Sequence, residues 1–303
     1  MTWIHLLFLT LSKLTPLLMA ALGGLLSELS GVINFALEAM MLAGAFGAVW
    51  ASHVSGSPWV GLMAGAVSGM LIASVHAFAC LRLRANQIVS SIALNLLAAG
   101  LTGMLLNEIF HVYGTSPSVA TLPNLSALAL IRDASAGRVG TSAIASLSVL
   151  VPAALVVVAI VTLVLNHTAL GLRIRACGEN PEAAEAVGVP IGQIRFLAVV
   201  TGGALAGTAG AYLSIGVLSQ FVETMIHGRG YLAIAALILG RWKPLGVLMA
   251  ATFFGFSEAL SEWLAVMWPQ FPSQLFSALP YAICLIVLTK WVGKGEQPSA
   301  LGK

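Results

Sequence analysis

Residues 27 to 45 read SELSGVINFALEAMMLAGA, so Ser27, Glu28, Asn34 and Glu38 stand in an otherwise apolar stretch. Carboxylates and an amide in such company can carry protons, hydrogen-bond a polar solute, or accept from backbone N–H groups where a helix is interrupted. Glu38 follows Gly31 by roughly 10 Å of helical rise, a depth at which a carboxylate costs a few kcal/mol unless it faces protein or water. Asn34 and Glu38 are four residues apart and are expected on one helix face, with Gly23, Gly24 and Gly31 letting the backbone bend or unwind just before them. Two readings stand open. In one, Asn34 and Glu38 face a translocation pathway; in the other they cap free amides and hold neighbouring helices together.

A second polar group, Asn86, Gln87, Ser90, Ser91 and Asn95, lies in NQIVSSIALNLL, with Ser91 and Asn95 on one face. Its neutrality suits an uncharged polar solute better than a zwitterion, which would invite compensating charge. Phe35, Phe221 and Tyr231 offer aromatic surface, for packing or for the flat part of a solute. Glu258 and Glu262, four apart, and Glu108 and Glu223 fall near segment ends, as hydrated charges or as contacts for an external protein. His76 and Ser74 do not have the spacing of a nucleophile system and read as packing or polar satisfaction. There is no GxxxxGK[ST], HExxH or GxSxG, so no cofactor, nucleotide or bond-cleaving site is expected. Cys80, Cys177 and Cys284 are widely separated and suggest neither a disulfide framework nor a zinc site.

The elements that must position these residues follow from composition. Of 303 residues, 59% are hydrophobic and 8% charged, against roughly 25% charged for a soluble domain, so the chain reads as an all-α, polytopic transmembrane helical bundle. Apolar runs fall near 3–26, 31–51, 58–81, 87–110, 144–166, 196–218, 229–240, 244–260 and 273–291, within a range of about eight to ten membrane segments including short or broken helices. Residues 1 to 26, interrupted by Lys13, lack a basic leader and a small-residue cleavage site and read as a retained span. Arg82 and Arg84; Arg173, Arg175 and Arg195; Arg241 and Lys243; and Lys290, Lys294 and Lys303 all fall on one side, which the positive-inside rule makes the cytoplasm. The run GYLAIAALILG spans only about 16 Å as a helix and must share its crossing with the preceding polar ETMIHGRG. Gly61, Gly65 and Gly69, then Gly203 and Gly207, and Ala206 and Gly210, recur every four residues and predict close helix contacts.

Between the spans, 111 to 143 reads as an external connector or contact surface, carrying Pro117, Pro123, Arg132, Asp133 and Arg138. The cytoplasmic loop at 167–195 is more legible. Asn180 is an N-cap, Pro181 suits the first helical position, Glu182 the positive end of the dipole, and Gly188 a left-handed stop before Pro190. These predict a helix near 181 to 187 with Ala183, Ala184 and Val187 on one small-residue face, fit to dock into a groove of a cytosolic protein.

The series Thr168, Gly171, Arg175, Ala176, Gly178, Asn180, Ala183, Ala184, Gly188 resembles the cytoplasmic coupling loop of permease subunits of bacterial ATP-binding-cassette importers, in the branched-chain amino acid, ribose and nucleoside branch. The order Ser27, Glu28, Gly31, Asn34, Glu38, Met40 is similar to the early segment of the nucleoside or simple-sugar permeases, and GRGYLAIAALILGRWKPLG resembles the same subgroup. Leu29 stands where that family often has a basic residue, which removes one local ion pair. The resemblance, from about residue 15 onward, implies a single permease domain over 1–303 in the bacterial inner membrane. It also implies a separate cytosolic ATPase, a second permease subunit forming a heterodimer, an external solute-binding lipoprotein or periplasmic protein, and no nucleic-acid partner. Arg175, Gly178, Asn180, Pro181, Ala183, Ala184 and Gly188 would then couple to the ATPase, and Asn34, Phe35, Glu38, Ser91, Asn95 and Tyr231 would border the pathway. The implied solute is a nucleoside; the alternatives are a ribose-type sugar or other small polar solute, or ATP-independent secondary transport using Glu38.

Overall fold

The computed structural model describes residues 3–125, 147–291 and 297–302. In chain order the helices are α1 (Trp3–Leu29), α2 (Leu37–Ser55), α3 (Pro58–Leu81), α4 (Gln87–Phe110), α5 (Leu150–His167), α6 (Ala169–Glu179), α7 (Pro181–Ala186), α8 (Ile191–Ala211), α9 (Arg229–Leu239), α10 (Pro244–Met267), α11 (Ser273–Ser277) and α12 (Leu279–Trp291). A π-helical turn, Tyr212–Leu218, extends α8. Among the described residues seven helices are long and apolar enough to cross a membrane, and two shorter apolar ones, Arg229–Leu239 and Gln274–Val287, add to them. That agrees with the nine runs read from the sequence. Arg132, Asp133 and Arg138 lie outside the described residues.

Helices α1, α2, α3 and α8 form the packed centre, and α10 lies along α1. In lipid, apolar side chains gain nothing by leaving their solvent, so association rests on close van der Waals packing. The four-residue glycine spacing supplies it. A Cβ on Gly207 of α8 would lie 2.9 Å from Gly69 Cα and 3.0 Å from Gly69 N of α3, and one on Gly44 of α2 would lie 2.5 Å from Gly207 Cα. Gly23 and Gly24 serve the same end, Gly23 against the Gly202 carbonyl. The expectation that they loosen α1 is corrected: α1 runs unbroken past them to Leu29.

Helices α4 and α5 are peripheral, each with one buried stripe, Leu94, Ala98, Thr102 and Leu106 on α4 and Ala154, Val158, Val161 and Leu165 on α5. Their other faces expose Ile92, Leu96, Met104, Val156 and Leu163, suitable for lipid or another membrane subunit. The described start of the connector after α4 folds onto the end of the α8 crossing, where Ser116 N donates to Phe221 O and Leu122 N to Ile215 O. Phe221 is fully buried against Phe46, so it is core rather than solute surface. As expected, α9 is a half-crossing. The polar segment before it is irregular, with Thr224, His227 and Gly228 all left-handed.

Candidate functional site

The polar residues of the opening motif gather where the backbone is not helical. The connector from 30 to 36 leaves α1 through Gly31, whose φ of 96° only glycine adopts without strain, and α2 starts at Leu37. The expectation that Asn34 and Glu38 share a helix face is therefore corrected, since Asn34 precedes the helix and Glu38 lies in its first turn. An interrupted backbone at membrane depth must find its hydrogen-bond partners within the protein. Here the partners come from six directions.

Arg195 Nε donates to Ser30 O (3.0 Å), and Gly302 N to Gly31 O (3.0 Å). Ile33 N donates to Gln87 Oε1 (2.6 Å), and His76 Nε2 donates to Ile33 O (3.1 Å), since a carbonyl can only accept. His76 Nδ1 then faces Ser90 Oγ at 3.1 Å. Asn34 accepts from Ala36 N (3.2 Å) and donates to Ser27 Oγ (3.1 Å). Asn95 donates to Phe35 O (3.0 Å) and Tyr231 Oη (3.0 Å) and accepts from Ala39 N (3.0 Å). Glu38 accepts from Gly228 N (2.7 Å) and Gly230 N (2.8 Å), so its carboxylate caps the start of α9 from α2.

Of the six residues read as bordering a pathway, Phe35, Asn95 and Tyr231 are thus bonded together, while Asn34 holds the connector and Glu38 the start of α9 beside them. Asn34 is buried, Phe35 packs partly buried on the core, and Tyr231 is 48% exposed with its hydroxyl on Asn95. Ser91 is fully buried with its hydroxyl on Gln87 O, so it closes the α4 backbone and presents nothing to a solute. Glu28, whose basic neighbour is missing, meets Trp242 instead, the indole Nε1 donating to Oε2 at 2.6 Å.

The loop at 167–195 folds as its capping residues dictate. Asn180 Oδ1 accepts from Ala183 N at 3.0 Å, Pro181 opens α7, and Gly188 ends it with φ 83°. Thr168 caps α6 in the same way through Gly171 N. Arg175 and Ala183 are exposed. Ala184 is not: it is 4% exposed, turned toward the chain itself, while Val187 is 79% exposed, so the expected small-residue face is split. A six-residue helix has too few turns to keep three such positions on one line. Gly178 is also internal, since a Cβ there would meet the Leu29 carbonyl group and stand 3.3 Å from Gly31 N. Pro181 is half-buried and Gly188 exposed.

Loop and connector are tied together. Arg195 reaches the Cys177 carbonyl (3.2 Å) as well as Ser30, and the segment 298–302 bridges both, Ala300 N donating to Gly178 O (2.8 Å) and Gly302 N to Gly31 O (3.0 Å). Ser299 Oγ adds a bond to Glu179 (3.0 Å). None of this was legible: Arg195 read as a loop charge, and the main-chain donors of 298–302 carry no side-chain signal. Burial pushes the Cys177 thiol above its ordinary range, against the pull of Arg195. The reading as hydrated charges is corrected for Glu258, whose side chain is 10% exposed and pairs with Arg229 (3.3 Å), while Glu262 stays 53% exposed and pairs with Lys13 (2.5 Å).

The family described as branched-chain amino acid transport system / permease component matches residues 6–288. The guanosine ABC transporter permease protein NupQ of Bacillus subtilis is 34% identical over 97% of this chain and 93% of its own. The nucleoside ABC transporter permease protein NupC of Lactococcus lactis is 33% identical over 95% and 92%. The putative glucose ABC transporter permease protein TsgC13 of Haloferax volcanii is 36% identical over 96% and 94%. Among solved structures, an inward-facing putative metal-chelate type ABC transporter aligns with a TM-score of 0.52 over 94% of this chain and 87% of its own, at 18% identity, a likeness of fold alone.

Proposed function

The chain belongs to the branched-chain amino acid transport system permease family, and from that premise we propose that it is the transmembrane permease subunit of an ATP-binding-cassette importer for nucleosides. It is a multi-pass protein of the cytoplasmic membrane. The observation that carries the substrate class is full-length similarity to the guanosine and nucleoside permeases. The amide of Asn95 beside the 30–36 connector, with the half-exposed Tyr231 bonded to it, agrees with an uncharged solute that has both hydroxyls and a flat ring. The second reading, a sugar permease, draws on the equally extensive likeness to the Haloferax chain.

In this reading the chain is a single permease domain, and it hydrolyses nothing itself. A cytosolic ATPase docks on the loop at 167–195, a second permease subunit completes the pathway, and an external solute-binding protein delivers the nucleoside. Arg175, Ala183 and Val187 form the docking surface, being exposed. Asn180, Pro181 and Gly188 shape α7, and Gly178 and Ala184 seat it on the rest of the chain. Movement of α7 would pass through α6, Arg195 and the 298–302 segment to the connector, and so to Glu38 and the start of α9. Access would alternate because the ATPase favours one arrangement when it binds ATP and another when it does not.

Uptake of labelled guanosine, adenosine, uridine, ribose and glucose into proteoliposomes containing the co-encoded subunits, with and without ATP, tests the reading. ATP-dependent nucleoside uptake is expected; uptake of sugars alone would replace the substrate, and nucleoside uptake without ATPase would replace the mechanism. Asn180→Ala removes the α7 cap and is expected to destabilise that helix by about 1 kcal/mol, lowering uptake several-fold while ATP hydrolysis continues. Equal uptake per ATP in the variant and the native complex would remove α7 from the coupling route.

A further inference from the structure

A second polar feature adjoins the connector network, in the outer half of the bundle. A cavity of about 570 Å³ opens between α1, α10, the start of α9 and α11–α12, lined by Lys13, His227, Arg229, Glu258, Glu262 and Tyr281 among others. Lys13 is within the span His5–Leu29, and Glu258 and Glu262 within Pro244–Met267. By helical rise Glu258 sits roughly 13 Å from the end of α10, too deep for bulk water to hydrate it freely. Ionisable groups at such depth are costly and occur where a chain lines an aqueous path or binds something polar.

The charges are arranged to cancel. Lys13 pairs with Glu262 and Arg229 with Glu258, two cations against two anions, so the walls have no formal net charge. Arg229 is further anchored, its Nη1 donating to the carbonyls of Met225 and Ile226. The Tyr281 hydroxyl donates to the His227 carbonyl, bringing an aromatic ring to the rim and holding the left-handed turn before α9. A cavity of this kind offers hydrogen-bonding groups and a ring face without a field that selects for charge. It would repel a net anion or cation less than it would fail to compensate one.

We propose that this cavity is a solute site within the chain, taking a neutral nucleoside on its way from the outer face and discriminating against its phosphorylated form. The proposal rests on the reading of the protein as a nucleoside permease. The cavity adjoins the connector network, His227 and Arg229 alternating with the Gly228 and Gly230 whose amides Glu38 holds, but Lys13, Glu262 and Ala265 take no part in that network, so the cavity can be perturbed through them.

The test is equilibrium binding of labelled guanosine to the permease–ATPase complex in nanodiscs, with guanosine monophosphate as competitor. Ala265 lines the cavity, and Ala265→Trp would fill it. That variant is expected to weaken guanosine binding by about ten-fold or more, with the complex still co-purifying. Glu262→Gln leaves Lys13 unpaired and the walls net positive. Guanosine monophosphate is then expected to displace guanosine at a concentration about ten-fold lower than it needs in the native complex, a gain that a purely structural ion pair would not produce. Native binding and uptake with both variants unaltered would overturn the cavity site and leave the nucleoside reading standing. Absence of guanosine binding and uptake in the native complex would overturn both, and guanosine binding that strengthens when phosphatidylethanolamine is left out of the nanodiscs while Ala265→Trp leaves uptake unaltered would assign the cavity to a lipid headgroup instead.

Discussion

Glu38→Leu is expected to lower ATP-dependent solute uptake by about 100-fold or more, because it leaves the N–H groups of Gly228 and Gly230 without an acceptor, each costing about 1–3 kcal/mol in a buried setting. Those two donors fix where α9 begins, and the residues before it are already left-handed at Thr224, His227 and Gly228. Without the carboxylate the half-crossing has no reason to start at Arg229. Glu38→Gln retains one acceptor oxygen and is expected to lose about ten-fold, since one of the two bonds survives. Initial rates in proteoliposomes, normalised to the amount of assembled complex, check both. Near-native uptake by Glu38→Leu would reduce the cap to a local ornament and move attention to Asn95.

Gly207→Leu is expected to abolish accumulation of folded protein. Three backbones converge there: its Cβ would lie 2.9 and 3.0 Å from Gly69 atoms and closer still to the Gly65 carbonyl. Backbone atoms of a packed helix cannot rotate away as a side chain can, so the loss belongs to the exceptional class above about 4 kcal/mol. Gly192→Leu is the matched control, at the start of the same helix, with nothing within 4 Å of its Cβ. Size-exclusion profiles and yields from membranes distinguish the two. A monodisperse Gly207→Leu protein would mean that α3 and α8 separate more easily than their contact implies.

Most of the helices were legible in the sequence because apolar length and four-residue glycine spacing are local signals, and α7 was legible because Asn180, Pro181 and Gly188 each act on their own backbone. The polar residues that gather at the connector were legible as polar residues, but the form they take there was not. Asn34 and Glu38 stood out as polar residues in an apolar run, yet the run continues through Gly31–Ala36, and periodicity alone cannot show that its backbone is held by side chains from α3, α4 and α8. Ala184 and Gly178 misled for a related reason: a small residue in a loop fits an approaching partner and the chain's own backbone equally well. Glu258 misled because its cation, Arg229, lies at the start of α9, far away in sequence.

The bridge from the 167–195 loop to the connector runs through Ala300 and Gly302. Both of its longest-reaching bonds use main-chain N–H donors and main-chain carbonyl acceptors, Ala300 to Gly178 and Gly302 to Gly31. Alanine scanning is blind to such a link, because replacing a side chain leaves the amide in place; only proline, which lacks the donor, severs it. The same property frees these positions to drift: related chains can exchange nearly every side chain along the bridge and still inherit the connection, so its persistence would be read from geometry and not from letters.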